Sequence, residues 1–337
     1  MKKQTSLLTA AVLLFGLPIL AHAQGSFKGY MFADYYTVLD HHDSDVKGQH
    51  GFWMRRIYLT FNSNLTEKIK MRLRLEMANS SFSKDKLTAN VKDAYLSTKL
   101  GGHELKAGIM PPPAFSNNVE PIWGYRALEK TPLDLFKFAS SRDFGIGLKG
   151  ALDSAKKVTY SVMYGNGSSN KGETNAGKRV YGALAFKPAR GLTFEVYADY
   201  EHRSETDQRY VYQGFAAYEG NWGRIGVLYA NQAFQNGTTY NLGLFSAFAV
   251  INASGKVDII GRIDTAVSDD WESIFEGSGI SYIPFANYVK PTLVILGISF
   301  EAAKDIWLIP NIKYSAYSGS DARNDIYANI TLWFKFK

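Results

Sequence analysis

Basic residues recur at every second position of KIKMRLRLEM (68–77), where Lys70, Arg72 and Arg74 are followed by Glu76. In an extended chain alternate side chains share a face. Three cations and one carboxylate would therefore stand in a row, with Ile69, Met71, Leu73, Leu75 and Met77 behind them. Such a row attracts anions, and an arginine fork takes a carboxylate or phosphate through two parallel N–H···O bonds. The preceding segment, MRRIYLTF (54–61), adds Arg56 to this chemistry, with Tyr58 and Thr60 on its face and Ile57, Leu59 and Phe61 on the other. Arg126 and Lys130 lie in a long segment without period-2 alternation, and Arg142 comes just after it. In a soluble sheet the charged face would be the wet exterior, so the rest of the chain must decide which side is inside.

Other chemistry has less to stand on. Asp40, His41, His42, Asp43 and Asp45 are metal-binding residue types, but their spacing fits no zinc or EF-hand pattern. They read as an exposed, solvated loop, with no metal and no cofactor expected. GETNAGKR (172–179) approaches a phosphate-binding loop, yet Arg179 stands where the magnesium-holding Ser or Thr would be. The six histidines fall in the leader, in a turn, or in loops and their edges, so no Ser-His-acid set is indicated. No enzyme activity is expected. Nor is nucleic-acid binding, since the positive charge is modest and spread over alternate strand positions.

The elements that position these residues are strands. Residues 1–23 carry Lys2 and Lys3, an apolar run and Ala21-His22-Ala23, which read as an export signal, leaving 24–337 as the mature unit. Without that leader the chain has 36 basic and 31 acidic residues and no cysteine, so no disulfide framework can hold it. No later apolar run is long enough for a membrane helix. The aromatic content, 21 Tyr, 21 Phe and 6 Trp, is what interfacial girdles use. Period-2 alternation predicts 16 strands, joined alternately by tight turns, such as Gly101-Gly102 and PARG (188–191), and by long polar loops. An even strand number with loop length sorted by parity predicts an all-β fold: a 16-stranded antiparallel transmembrane β-barrel with short periplasmic turns and long extracellular loops. A propeller or sandwich has no reason to sort its loops in this way.

The last strand, DIYANITLWFKF (325–336), supports this, with Ile326, Ala328, Ile330, Leu332, Phe334 and Phe336 on one continuous apolar face. With lipid outside, the charged faces must turn to the lumen. In order and spacing, RRIYLTF (55–61), MRLRLE (71–76), GIMPPPAF (108–115), YRALEK (125–130) and SRDFGIGL (141–148) resemble the N-terminal half of the phosphate-selective porin O and P family. The resemblance covers roughly Phe27 to Gly150. It implies a usually homotrimeric, general or anion-preferring outer-membrane channel that passes small hydrophilic solutes passively, with small anions, phosphate among them, and outer-membrane lipid as partners. It also implies a third loop, 110–141, folded inward to form the constriction, with Arg126 and Lys130 nearest the eyelet. Arg56, Lys70, Arg72, Arg74, Arg126, Lys130 and Arg142 are then the pore-lining, anion-binding candidates. The competing expectations are a substrate-specific phosphate or carboxylate channel, a non-conducting barrel serving as an adhesin, and a lipid enzyme at the outer rim. A structural alternative for any one arginine is that it only pairs with Glu76, Asp93 or Glu195 inside the barrel.

Overall fold

A computed structural model describes residues 25–78, 86–204, 206–277, 284–318 and 322–337. The expected export signal, 1–23, lies outside the described residues. The strands are β1 (Gly25–Asp40), β2 (His50–Asn64), β3 (Ile69–Ala78), β4 (Thr88–Leu100), β5 (His103–Met110), β6 (Asp143–Ala151), β7 (Val158–Gly165) and β8 (Lys178–Phe186). They continue with β9 (Leu192–His202), β10 (Asp207–Gly220), β11 (Gly223–Asn236), β12 (Thr238–Ser254), β13 (Val257–Ala266), β14 (Lys290–Ala303), β15 (Ile306–Ser318) and β16 (Asp325–Phe336). Among the described residues three short helices sit in connections: α1 (Val119–Trp123), α2 (Pro132–Leu135) and α3 (Trp271–Ile274). Each strand pairs antiparallel with its chain neighbours, and β1 pairs with β16, so the sheet closes as a barrel of 16 strands. Closure removes the unpaired edges that an open sheet of this size would expose.

Alternation of residue type dictates which way each strand faces. In β9, Thr193, Glu195, Tyr197, Asp199 and Glu201 are buried, while Phe194, Val196 and Tyr200 are exposed. In β16, Asp325, Tyr327, Asn329 and Thr331 point in, whereas Ile330 and Leu332 point out. The outer surface is thus apolar and the interior polar, inverted relative to a soluble protein. The described residues contain no helix long and apolar enough to cross a membrane. The barrel is the spanning element, because only a closed sheet satisfies its backbone groups in hydrocarbon.

Two bulges re-aim side chains in the first wall. The β1–β2 register shifts at Phe32/Ala33, which face Arg56 and Met54, leaving Arg55 as an extra residue on β2. The β3–β4 register shifts at Arg74/Leu75, which face Asp93 and Val91, leaving Lys92 extra on β4. The alternation of loop lengths is also less strict than expected. Where a longer loop should join β11 to β12, the two strands continue pairing to Asn236↔Thr238, with Gly237 alone at the tip at φ +71°. Polar residues there extend the ladder beyond the apolar belt, where water and not lipid is the surrounding medium.

Candidate functional site

The connection from β5 to β6 folds into the barrel. Pro111-Pro112-Pro113 opens it, and without N–H groups these residues cannot continue the ladder. α1 comes next and ends at Gly124, whose φ of +71° is left-handed; a Cβ there would meet Arg224 Nη2 at 2.6 Å. The loop carries its own apolar side. Phe115, Val119, Trp123, Leu128, Leu133, Leu135 and Phe138 are all at most 2% exposed. Trp123 packs edge-on against Phe248 of β12, and Phe138 stacks on Trp271 of α3.

A buried loop must have its backbone polar groups satisfied, and wall side chains do this around much of the barrel. Gln213 Nε2 donates to Ala114 O at 3.2 Å, and Arg224 Nη2 to Trp123 O at 3.2 Å. Lys313 Nζ donates to Leu128 O at 2.7 Å and pairs with Glu129 at 3.1 Å. Arg262 Nη1 donates to Lys130 O at 2.5 Å, and Arg179 Nη2 and Gln232 Nε2 both donate to Phe138 O at 3.2 Å. Arg55 pairs with Asp34 and donates to Ala127 O and, at 3.5 Å, to Leu128 O. Between side chains, Asn118 Nδ2 donates to Glu195 Oε2 at 2.6 Å, and Tyr125 Oη to Asp258 Oδ2 at 2.5 Å. The loop is therefore clamped against the wall from β8 through β15, with Arg55 of β2 as a further fastener.

The basic candidates lie on the other wall. Register sets Tyr58 beside Glu76, Thr60 beside Arg74, Asn62 beside Arg72 and Asn64 beside Lys70. Glu76, Arg74, Arg72 and Lys70 thus descend towards the short-turn rim in steps of about 7 Å, two strand residues each. Two cavities lie along this descent. One, of about 480 Å³ towards the long loops, is lined by Arg56, Glu76, Lys92, Lys130, Asp134 and Lys171 among others. The second, of about 640 Å³ at the short-turn end, is lined by Asn62, Lys70, Arg72, Tyr95 and Glu104 among others. Arg74 stands between the two.

The sequence candidates are not equivalent in this setting. Arg56 is buried against Glu76, and Lys92 Nζ pairs with the same carboxylate at 2.7 Å. Arg74 Nε is 3.5 Å from Asp93 and donates to Thr60 Oγ1 at 2.8 Å, while Arg142 pairs with Asp93 as well. Arg126 pairs with Asp134 at 3.7 Å, within the loop itself, and Lys130 lines the upper cavity. Arg72 is held differently: Nε donates to Asn62 Oδ1 at 2.8 Å and the guanidinium lies 5.8 Å from the Tyr95 ring, with no carboxylate ion pair among the described residues. Lys70 is exposed at the mouth, where it lines the lower cavity with Arg72. Glu76 and Asp93 thus pair with several of the arginines, whereas Glu195 accepts from Asn118 of the loop.

Sequence reading missed Arg55 and Lys92, because strict alternation turns both outward; each is the extra residue of a bulge and both point inward. No signal in the strand pattern marks them beyond a doubled charge, Arg55-Arg56 and Lys92-Asp93, which an ordinary strand between lipid and water would not carry. Arg179 and Arg262, which fasten the loop and pair with Asp199 and Asp264 at 2.6 Å, were likewise not among the candidates. In the first loop Asp43 and Asp45 are exposed as expected, but His41 departs from that state and is 2% exposed.

No curated protein sequence matches this chain. Solved structures with the same fold include an anion-selective porin from Comamonas acidovorans, 12% identical with TM-score 0.67, covering 94% of this chain and 100% of that one. Salmonella typhi OmpF in complex with daunomycin is 11% identical with TM-score 0.66, covering 93% and 97%. In-vitro folded OmpT of Vibrio cholerae, in a trimer form, is 12% identical with TM-score 0.63, covering 94% and 100%. The family model for phosphate-selective porin O and P matches residues 29–211, more than half of the chain. A closed 16-stranded barrel, apolar outside and charged within, with that match running from β1 into β10, makes this chain an outer-membrane porin belonging to the phosphate-selective porin O and P family.

Proposed function

We propose that the channel passes small hydrophilic solutes passively and prefers anions, with Arg56, Arg72, Arg74, Arg126, Lys130 and Arg142 forming the filter and Lys70 collecting anions at the inner mouth. The observation that carries this reading is the descent Arg74, Arg72, Lys70 along one wall, with Arg72 held by a neutral amide in place of a carboxylate. In and between the two cavities nine basic side chains (Arg56, Lys70, Arg72, Arg74, Lys92, Arg126, Lys130, Arg142, Lys171) face five acidic ones (Glu76, Asp93, Glu104, Glu120, Asp134), an excess of four positive charges. That excess lowers the barrier for anions and raises it for cations. The carboxylates have a positive part: Asp93 and Glu76 hold the guanidinium groups in place, so that little side-chain ordering is left for the moment an anion arrives. Successive cationic positions about 7 Å apart let an anion pass from one shallow site to the next, and conduction needs binding weak enough for release.

Phosphate and small carboxylates fit this wall best, because the guanidinium fork matches both bidentately. Assembly as a homotrimer in outer-membrane lipid is in keeping with the family and with the trimer form of the OmpT fold. Replacing Arg72 and Arg74 together by Glu cancels the positive excess, leaving seven basic and seven acidic groups. The double variant is expected to lose its anion preference and shift towards cations in a planar bilayer. Unchanged selectivity would show that this wall is not the filter. For the solute, adding phosphate to a chloride-conducting channel is expected to reduce the current in a saturable way, and a purely additive current would exclude a phosphate site.

A further inference from the structure

At the long-loop rim the fold brings together three groups from opposite ends of the chain, His42 and Asp325 being 283 residues apart. His41 and His42 come directly after β1, and Asp325 is the first residue of β16, the strand that closes the barrel against β1. Each offers a ligand atom within 4.8 Å of the others. His42 Nδ1 is 2.9 and 3.1 Å from the two Asp325 oxygens, and the His41 ring stacks on that of His42 at 4.2 Å between centroids. His41 and Asp325 are buried, at 2% and 0% exposure, while the His42 side chain keeps 21% and faces the way in.

We propose that His41, His42 and Asp325 form a site for one divalent cation of the zinc type, clasping the first loop to the closing strand. This proposal is independent of the channel's selectivity. Two imidazoles and one carboxylate are a zinc donor set, with a fourth position left to water. Two donors on one tetrahedral zinc lie about 3.3 Å apart, given metal–ligand distances of about 2.0–2.2 Å. The His42–Asp325 pair is already there, and His41 has to close by no more than about 1.5 Å, within reach of a ring rotation. What separates this cluster from an ordinary hydrogen-bonded histidine is the set of further contacts that fix the direction of its donors. The Asp43 backbone lies 2.9 and 3.1 Å from His41 Nδ1, Tyr317 Oη donates to Asp325 Oδ2, and the His42 backbone N–H donates to Asp325 Oδ1 at 2.7 Å.

The test uses the full-length, tag-free porin folded in detergent micelles and titrated calorimetrically with zinc chloride. One zinc per chain is expected, with a dissociation constant in the micromolar range or below and no competition from excess magnesium, which prefers oxygen ligands. His41→Gln and His42→Gln should each weaken binding by about tenfold or more, whereas His50→Gln, outside the cluster, should leave it unchanged. Heat-modifiable migration on gels verifies that each variant is folded. A readout that needs no variant is diethylpyrocarbonate labelling of the wild type: zinc should shield His42 and leave His50 reactive. Absence of saturable binding below about 1 mM zinc, binding that survives both substitutions in folded protein, or no shielding of His42 would each overturn the proposal and leave only a hydrogen-bonded clasp.

Discussion

Arg55 and Arg72 show how the same residue type serves two purposes in one lumen. Arg55 is 1% exposed, paired with Asp34 and spent on loop carbonyls, so it is a fastener. Arg72 rests on Asn62 and Tyr95, and in the proposed filter it is the guanidinium that meets a passing anion. Their loss should differ accordingly. Arg55→Ala takes the ion-pair partner from Asp34 and the donor from Ala127 O, while Leu128 O keeps Lys313, a change that costs about 3–5 kcal/mol where a buried pair is broken. It should lower the urea midpoint and give a larger, noisier single-channel conductance as the loop loosens. A quiet, unchanged conductance would mean that Lys313 and Arg262 suffice to hold the loop. Arg72→Ala should leave stability nearly untouched and reduce anion preference, which a reversal-potential measurement reads. This distinction was not legible in the sequence, where both are arginines in alternating strands. Arg55 even read as outward, because a bulge leaves no mark in a period-2 pattern.

At the level of elements, the strands were written plainly, since lipid on one side and water on the other enforce alternation along each strand. β16 agrees with its sequence expectation at both ends, 325 and 336. The extended β11–β12 hairpin did not, because beyond the lipid belt polar residues pair without any two-sided constraint. The inward loop was legible as a break, three prolines and a loss of period, but its clamps come from wall residues 41 to 185 positions distant and could not be read locally. The turn at Gly124 is specific enough to test. Gly124→Val puts a β-branched residue at φ +71° and drives its Cβ into Arg224, which holds Trp123 O. Left-handed backbone costs such a residue on the order of 1–2 kcal/mol, before the clash. The expected result is a barrel that folds but shows altered conductance and faster trypsin cleavage near the loop. Wild-type protease resistance would show that the glycine is dispensable.

On the scale of the whole molecule, the inversion of polar and apolar faces is what the fold depends on. Val196, mid-strand on β9 and 59% exposed, faces the bilayer and should not tolerate charge. Val196→Arg is expected to cost about 2–4 kcal/mol near the midplane, seen as a lower denaturant midpoint in lipid vesicles. The same substitution in a soluble sandwich would be close to neutral on an exposed face. Inside, the charge excess makes a different kind of claim, and the zero-current potential of the wild-type channel under a tenfold potassium chloride gradient decides it. An anion-preferring pore lets chloride run ahead, so the dilute side should settle negative relative to the concentrated side. A dilute side that settles positive would contradict an anion filter built on Arg72 and Arg74.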